Sequence, residues 1–365
     1  MKEQTTTTIV PSRAYRLLQP KLIREVVLEH TVPDGYVVVE PTLASICHAD
    51  LRYYTGQRRP EALARKLPMS LLHEGIGKVV VSRDAGCKEG QNVVIVPNMP
   101  GYMLDGAKRE DCCPACRGAA GDNYCYRGRF LGSGIDGIAQ RRIVVPAGCA
   151  IPVPEEVPDE IAVLTELCSV SYQAITRVKE RWGNMSAAVF GDGPVGYLTA
   201  AMLHHAAGLD QDRLLAFGAI EEKLEQFQFA RRELVQQFDF GAAEPVDVAV
   251  ECTGGRFSES AVNQAIDLLR PGGVLILMGV TEERVPINTR DILEKGITVI
   301  GSSRSMSRDF QAVMELMRRP SCQETLRRLL PERTKPVRKV EDYIEAMEEA
   351  AAHRDWKKTV LEFHW

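Results

Sequence analysis

The sequence of 365 residues contains no apolar run of the roughly 18 residues that a membrane-spanning helix needs. It also lacks an excess of basic charge, because 45 Lys and Arg residues stand against 49 Asp and Glu residues and the net charge is −4. We therefore expect neither a membrane partner nor a nucleic-acid partner bound through broad electrostatic attraction. An anionic substrate would need a local basic pocket.

Other absences concern the organisation and location of the chain. It has no internal repeat, low-complexity tract or long linker, and residues 1–15 lack the basic-then-apolar pattern of a signal peptide. Ten cysteines are few for this length, so we expect a reducing, cytoplasmic location and interpret clustered cysteines as metal ligands before disulfides. The length predicts two domains.

Two patterns of predicted secondary structure divide the chain. Residues 22–150 form short β-branched runs separated by Gly, Pro, Asn and Asp, a pattern typical of an antiparallel, barrel-like domain. After Pro158, strand-like and helix-like segments alternate, which predicts an α/β doubly wound parallel sheet, or Rossmann domain. Helices are expected over 160–180, 195–208, 221–234, 259–269 and 340–353. The predicted domains are a catalytic domain over 1–160, completed by 305–365, and a dinucleotide-binding domain over 161–304.

A glycine-rich turn follows the predicted strand SAAVF and opens a helix. Its residues Gly191, Gly193, Pro194, Val195 and Gly196 belong to a G-x-G-x-x-G pattern. Glycines there permit a tight turn and close approach of the backbone, while the helix N-terminus offers N–H groups to a pyrophosphate. An ordinary glycine turn is the alternative, but the βα units that follow favour dinucleotide binding.

The acidic residue that binds the ribose hydroxyls of NAD is missing after the second strand, where Gly218 stands instead. Gly218 is expected to leave room for the 2′-phosphate of NADP, with Lys223 or Arg213 as the cation. Glu221 and Glu222 are arguments for NAD. NADP(H) is the predicted cofactor.

A candidate metal site combines Cys47, His73, Glu74 and Glu166. Thiolate, imidazole and carboxylate together suit Zn²⁺, and three protein ligands with one exchangeable position are typical of a catalytic site. The spacing alone does not establish a metal site, because an isolated cysteine is usually packed in the core and a lone histidine or glutamate usually lies on the surface.

These segments, in this order, resemble the zinc-containing medium-chain alcohol dehydrogenases: Cys47-His48-Ala49-Asp50, LLHEGIGKVV, TEL and GDGPVG. The strings ICHADLRYYTGQRRPEAL, VECTGG, VPINTRDILEKG and IGSSRS look like the ribulose-5-phosphate reductase branch. The resemblance implies a GroES-like catalytic domain, Zn²⁺ on Cys47, His73 and Glu166, and Glu74 as an exchangeable ligand. It further implies that Asp50 supports the site, and we expect cofactor contacts from Thr253, Gly279 and Val280.

The residue that begins the proton relay in many members of that family is different in this chain. Many members carry Ser or Thr two residues after the cysteine, but this chain has Ala49, which has no hydroxyl. His48, Tyr54 or a water must then carry the proton, and the sequence leaves the choice open. His48 as a plain surface residue is an equal alternative.

Four cysteines lie close together in the sequence: Cys112, Cys113, Cys116 and Cys125. They predict a second, structural zinc in a closed tetrahedral site. Because Cys112 and Cys113 are adjacent, Asp111 or a water could replace one thiolate. The alternative is four free surface thiols.

The predicted phosphate site consists of Arg52, Arg58 and Arg59, which follow Cys47 closely. A planar guanidinium can donate two parallel hydrogen bonds to the oxygens of a phosphate. Arg290 and Arg304 are the second-choice candidates for the phosphate site. We expect NADPH-linked, zinc-assisted reduction of D-ribulose 5-phosphate to D-ribitol 5-phosphate in a homodimer or homotetramer, with a cytidylyltransferase as pathway partner. A dehydrogenase of neutral polyols and a zinc-free enone or quinone reductase are the alternatives.

Overall fold

The structure, a computed structural model, describes residues 8–118, 121–352 and 356–365, with only the backbone at 179–181. Residues 1–7, on which the signal-peptide expectation partly depends, lie outside this range. The strands are β1 (Thr8–Gln19), β2 (Leu22–Val32), β3 (Tyr36–Ser45), β4 (Met69–Ser70), β5 (Glu74–Ser82), β6 (Asn92–Ile95), β7 (Asn98–Met99), β8 (Arg129–Phe130), β9 (Ile143–Pro146), β10 (Ala150–Pro152), β11 (Ala187–Phe190), β12 (Leu214–Gly218), β13 (Arg231–Leu234), β14 (Val246–Glu251), β15 (Leu269–Leu277), β16 (Thr298–Gly301), β17 (Lys335–Val337) and β18 (Val360–Phe363).

The α-helices are α1 (His48–Tyr54), α2 (Pro60–Lys66), α3 (Gly101–Leu104), α4 (Pro114–Arg117), α5 (Asp159–Ala162), α6 (Thr165–Thr176), α7 (Pro194–His205), α8 (Glu221–Leu224), α9 (Ser258–Leu268), α10 (Thr289–Lys295), α11 (Ser307–Met317), α12 (Pro320–Arg327) and α13 (Val340–Ala352). None of the helices in the described ranges is long and apolar enough to cross a bilayer. The chain divides into two compact units.

Unit 1 comprises Met1–Glu166, Ser305–Arg318 and Leu330–Trp365 and is mainly antiparallel sheet. One sheet has the order β2-β1-β4, and a larger one has the order β10-β6-β5-β3-β18-β17, with β9 also paired to β3. The β-branched run Val37–Val39 is fully buried in this sheet. The antiparallel prediction for the first part of the chain is confirmed.

The register of three strands brings candidate metal ligands together. Ser45, the last residue of β3, pairs with Glu74, the first residue of β5, and with Val360, the first residue of β18. Residues just beyond these strand ends must therefore meet. Cys47 and His73 are two such residues.

Unit 2 comprises Leu167–Arg304 and Arg319–Leu329. Its six strands are all parallel, in the order β13-β12-β11-β14-β15-β16. Phe190 and Phe217 stack across neighbouring central strands with ring centroids 4.7 Å apart. The predicted doubly wound sheet is confirmed.

The helix predicted over 221–234 is wrong. Helix α8 ends at Leu224, and β13 extends the sheet by pairing with β12. Phe227 and Phe229, which lie between α8 and β13, both pack on the ring of Tyr197, with ring centroids 5.1 and 5.5 Å away. Packing on another element overrides local propensity here.

The units divide after Glu166, whereas the sequence predicts a boundary at 160/161, and residues 319–329 group with the parallel sheet. Contacts between α12 and α7 explain the second difference. The hydroxyl of Tyr197 donates to the carbonyl of Thr325 at 2.8 Å, and Nε2 of His205 lies 2.9 Å from Oγ1 of Thr325.

Candidate active site

Cys47, His73 and Glu74 form one cluster in unit 1. One donor atom from each residue, the thiol sulfur, an imidazole nitrogen and a carboxylate oxygen, lies within 4.8 Å of the other two. His73 and Glu74 are buried, and Cys47 is partly exposed. The β3–β5 register places these side chains together, although they are far apart in sequence.

Asp50 holds this cluster in place from the first turn of α1. Its Oδ2 accepts the backbone N–H of Cys47 at 3.0 Å, and its Oδ1 accepts that of Leu72 at 3.0 Å. Oδ1 also lies 3.5 Å from Nδ1 of His73, which leaves Nε2 as the available ring nitrogen. Burial alone would lower the pKa of His73, but the negative charge of Asp50 and the Cys47 side chain raise it well above its usual value. This geometry supports the predicted positioning role of Asp50.

Glu74 has one satisfied and one unsatisfied carboxylate oxygen. Its Oε2 accepts a hydrogen bond from Ser45 and lies 2.8 Å from the buried ammonium of Lys358. Its Oε1 is buried without a hydrogen-bond partner. A buried, unpaired carboxylate oxygen beside a thiol and an imidazole fits a divalent cation, and this donor set fits Zn²⁺.

Sequence reasoning missed Lys358. Its ammonium also donates to the carbonyl of Ile46 at 2.9 Å. Burial lowers the pKa of Lys358, but the charge and hydrogen bond of Glu74, together with the negative charges of Cys47 and Asp50, outweigh this effect and raise it. No local pattern marks this lysine, because its position depends on the pairing of β18 with β3.

Glu166 lies in the first turn of α6 and is buried. Its carboxylate does not belong to the three-residue cluster, so the predicted set of Cys47, His73 and Glu166 differs from the set that the structure groups. Burial is the main cause that raises the pKa of Glu166, to about 7. Its role as a zinc ligand stays a prediction.

The structure narrows the proton-relay alternatives. Tyr54 is fully buried, and its hydroxyl donates to Oε1 of Glu348 on α13 at 2.6 Å. These contacts favour His48 or water over Tyr54 as the proton carrier. His48 is the exposed first residue of α1, directly after Cys47. Its role stays a prediction.

The four clustered cysteines meet in space: Cys112, Cys113, Cys116 and Cys125 have sulfur atoms within 4.8 Å of one another. Backbone hydrogen bonds, above all at Tyr126, lower the pKa of Cys113 to about 6. The adjacency of Cys112 and Cys113 is thus compatible with four convergent thiols, which fit a tetrahedral Zn²⁺ site. Asp111 is not in the group.

The predicted phosphate residues are spread over two helices. Arg52 lies on α1, and the exposed Arg59 precedes α2. Arg58 places its guanidinium carbon 4.8 Å from the ring centroid of Tyr53. The two further candidates for the phosphate site are also exposed. The side chain of Arg290, in unit 2, is 82% exposed and donates to Glu294. Arg304 has a φ of 61°.

In unit 2, the glycine-rich turn connects β11 to α7 as predicted. Gly191 has a φ of 133°, and a side chain on Gly196 would overlap the carbonyl of Gly191. Gly193 caps the helix and Pro194 is its first residue, followed by Val195. The turn has the compact form that a pyrophosphate site at a helix N-terminus requires.

Beside the second strand, Gly218 packs against Asp192, and its contact with a 2′-phosphate stays a prediction. A Cβ on Gly218 would lie 2.6 Å from Cβ of Asp192, so the glycine makes room for that aspartate. Oδ2 of Asp192 accepts the backbone N–H groups of Ala219 and Ile220 at 2.8 and 2.9 Å. Arg213 precedes β12, at the end of the strand opposite Gly218, and donates to the carbonyls of Gly183 and Gly208, which favours Lys223 as the cation. Lys223 on α8 stays a prediction.

Glu251 was not predicted, although it organises the loops after β14 and β15. Its carboxylate accepts the backbone N–H groups of Thr253 and Gly254 at 2.9 and 3.1 Å and that of Gly279 at 3.1 Å. Val280, half-exposed, accepts a hydrogen bond from the N–H of Gly255. One buried carboxylate therefore positions the proposed cofactor residues Thr253 and Gly279, and a backbone hydrogen bond from Gly255 holds Val280.

Two family models match the chain. The alcohol dehydrogenase GroES-like domain matches residues 33–155, and the zinc-binding dehydrogenase model matches residues 195–319. Ribulose-5-phosphate reductase 1 of Staphylococcus aureus is 36% identical and aligns with 96% of this chain and 99% of its own length. A ribulose-5-phosphate reductase of Streptococcus pneumoniae is 31% identical, over 92% and 93% of the two chains.

A solved structure agrees with this result. The crystal structure of Staphylococcus aureus TarJ in complex with NADPH matches with a TM-score of 0.80 and 33% identity, over 98% of this chain and 100% of that one. The chain therefore belongs to the zinc-binding alcohol dehydrogenase family and, within it, to the ribulose-5-phosphate reductases.

Proposed function

We propose that this protein reduces D-ribulose 5-phosphate to D-ribitol 5-phosphate with NADPH. The convergence of Cys47, His73 and the Glu74 carboxylate, one oxygen of which has no hydrogen-bond partner, is the observation that carries the proposal. In the reaction, the ketone carbon gains a hydride, the ketone oxygen gains a proton, and NADPH becomes NADP⁺. The near full-length likeness to named ribulose-5-phosphate reductases supports this substrate.

Cys47, His73 and Glu74 would hold a catalytic Zn²⁺, with Glu166 as an additional candidate. When bound, zinc supplies a Lewis acid that polarises the ketone of the substrate. Asp50 orients the imidazole of His73, and Lys358 and Ser45 bind Oε2 of Glu74, which leaves Oε1 for a metal ion. These contacts preorganise the donor atoms before the metal arrives.

Gly191, Gly193 and Gly196 would admit the pyrophosphate of the cofactor to the N-terminus of α7, with Lys223 as the candidate partner of the 2′-phosphate. NADPH supplies the hydride. The likeness to the NADPH-bound TarJ structure supports NADPH as the cofactor. Gly218 adds no support, because Asp192 occupies the space beside it.

The proton for the ketone oxygen would come from His48 or from water, because Ala49 carries no hydroxyl and Tyr54 is bonded to Glu348. We further propose a cytoplasmic, homo-oligomeric enzyme whose product a cytidylyltransferase converts to CDP-ribitol. The resemblance of the sequence to the reductase branch supports that setting.

The test compares ribulose 5-phosphate with unphosphorylated ribulose, each with NADPH and with NADH, using protein of measured zinc content. We expect kcat/KM to be highest for the phosphate ester with NADPH. Equal kcat/KM for the two sugars would instead favour a dehydrogenase of neutral polyols. A metal analysis that finds no bound zinc, with neither sugar reduced, would favour an enone or quinone reductase.

A further inference from the structure

Lys66, the last residue of α2, has an unusual set of partners. Its ammonium donates to the hydroxyl oxygens of Tyr53, at 2.9 Å, and Ser133, at 2.7 Å. Among the described residues, no carboxylate forms an ion pair with it. Lys66 is only partly exposed, so a positive charge is held in a fixed position by two neutral groups.

Arg58 brings a second positive charge to the same tyrosine. Its guanidinium carbon lies 4.8 Å from the ring centroid of Tyr53, and the ammonium of Lys66 lies 5.6 Å from it. Burial would raise the pKa of Tyr53. The hydrogen bonds from Lys66 and Ser133 and the two positive charges outweigh burial and lower that pKa. The surroundings of Tyr53 therefore favour a negative charge.

The group formed by Lys66, Arg58, Tyr53 and Ser133 is connected to the candidate metal site by two routes. Tyr53 lies on α1, whose N-cap is Cys47, and six residues of helix span about 9 Å. Ser133 donates its backbone N–H to the carbonyl of Phe130, whose ring centroid lies 5.4 Å from that of His73. All these residues belong to unit 1.

We propose that Lys66 and Arg58, with the hydroxyls of Tyr53 and Ser133, bind the phosphate group of the substrate. The proposal rests on the proposed function, to which it adds the residues that distinguish a sugar phosphate from a neutral sugar. Lys66 donates to both hydroxyl oxygens, which lie 3.4 Å from each other, so one hydroxyl hydrogen is shared between them and the other remains able to donate to an anion. A phosphate would meet an ammonium, a guanidinium fork and an O–H donor.

The sequence prediction of Arg52, Arg58 and Arg59 is thereby revised. Arg58 is retained, and Lys66 replaces the exposed Arg59 as the second cation. Lys66 and Ser133 are distant in sequence, and only their shared contact with Tyr53 reveals them as a pair.

The experiment compares Lys66→Met with Arg65→Met, which removes a neighbouring exposed charge from the same helix. Lys66→Met should raise the KM for ribulose 5-phosphate by roughly tenfold or more and leave slow turnover of ribulose nearly unchanged. Arg65→Met should change neither value. Lys66→Arg should recover part of the loss, because it restores the charge.

Binding of inorganic phosphate, measured by calorimetry on the same proteins, is independent of turnover. We expect wild type and Arg65→Met to bind phosphate and Lys66→Met to bind it at least tenfold more weakly. Equal phosphate binding by the two variants, or equal losses on ribulose and its phosphate, would overturn the proposal. If wild type binds phosphate through Lys66 but does not reduce ribulose 5-phosphate, the proposed function fails while the phosphate site stands.

Discussion

Lys358 and Glu74 form a buried ion pair in which Nζ lies 2.8 Å from Oε2. The side chains of Lys358 and Glu74 are 6% and 0% exposed, so neither charge is compensated by water. A buried charge is tolerated only when it is paired and hydrogen-bonded. Because Lys358 neutralises one oxygen of Glu74, the other is available as a candidate metal ligand.

Lys358→Met should destabilise the protein by about 3–5 kcal/mol, because it leaves the Glu74 carboxylate buried without its cation. Adding Glu74→Gln should reduce that loss, since it removes the uncompensated charge. The free energy of unfolding in urea measures both effects. Lys335→Met is the control: its ion pair with Glu349 is about two-fifths exposed on each side and should contribute less than about 1 kcal/mol. Similar losses for the two lysine variants would contradict the role given to Lys358.

Cys47→Ala should abolish reduction of the sugar phosphate and lower the zinc content by one ion, because it removes the thiolate ligand. NADPH binding should survive, since the Gly191–Gly196 turn belongs to unit 2. Elemental analysis and cofactor titration measure the two properties. Cys87→Ala, outside both cysteine-containing metal clusters, should retain zinc and activity. Normal zinc content in Cys47→Ala would refute the proposed catalytic site.

Cys112→Ser should remove the second zinc, whereas Asp111→Ala should leave it bound. The reason is that the Cys112 sulfur lies among the four convergent thiols, 3.7 Å from that of Cys125, and Asp111 is not in the group. Cys112→Ser should also lower the thermal midpoint, because metal binding contributes to folding free energy. The opposite pattern of metal loss would restore Asp111 as the fourth ligand.

Lys223→Ala should weaken NADPH binding by roughly tenfold or more, about 1.4 kcal/mol, because a charge-assisted hydrogen bond to the 2′-phosphate is lost. NADH binding should barely change. Fluorescence titration with each cofactor gives both dissociation constants. Arg213→Ala is the control, since its guanidinium donates to the carbonyls of Gly183 and Gly208. Equal weakening of both cofactors by Lys223→Ala would exclude a contact with the 2′-phosphate.

Asp192 shows what the sequence could not reveal about the surroundings of Gly218. Gly218 was interpreted as empty space for a phosphate, but the Cβ of Asp192 fills that space and its carboxylate accepts two backbone N–H groups. The residues are far apart along the chain, and the parallel pairing of β11 with β12 places them side by side. A missing side chain in a sequence does not indicate which neighbour occupies the volume.

By itself, the sequence determined the parallel-sheet unit, the Gly191–Gly196 turn and the donor types Cys47 and His73. These features follow from contiguous residues, whose periodicity and turn chemistry act locally. Tertiary structure alone decided that Lys358 neutralises Glu74, that Tyr54 bonds to Glu348 and that Lys66 meets Ser133 at Tyr53. Strand register and loop packing create those contacts, and a buried polar group takes whichever partner the fold brings within hydrogen-bond distance.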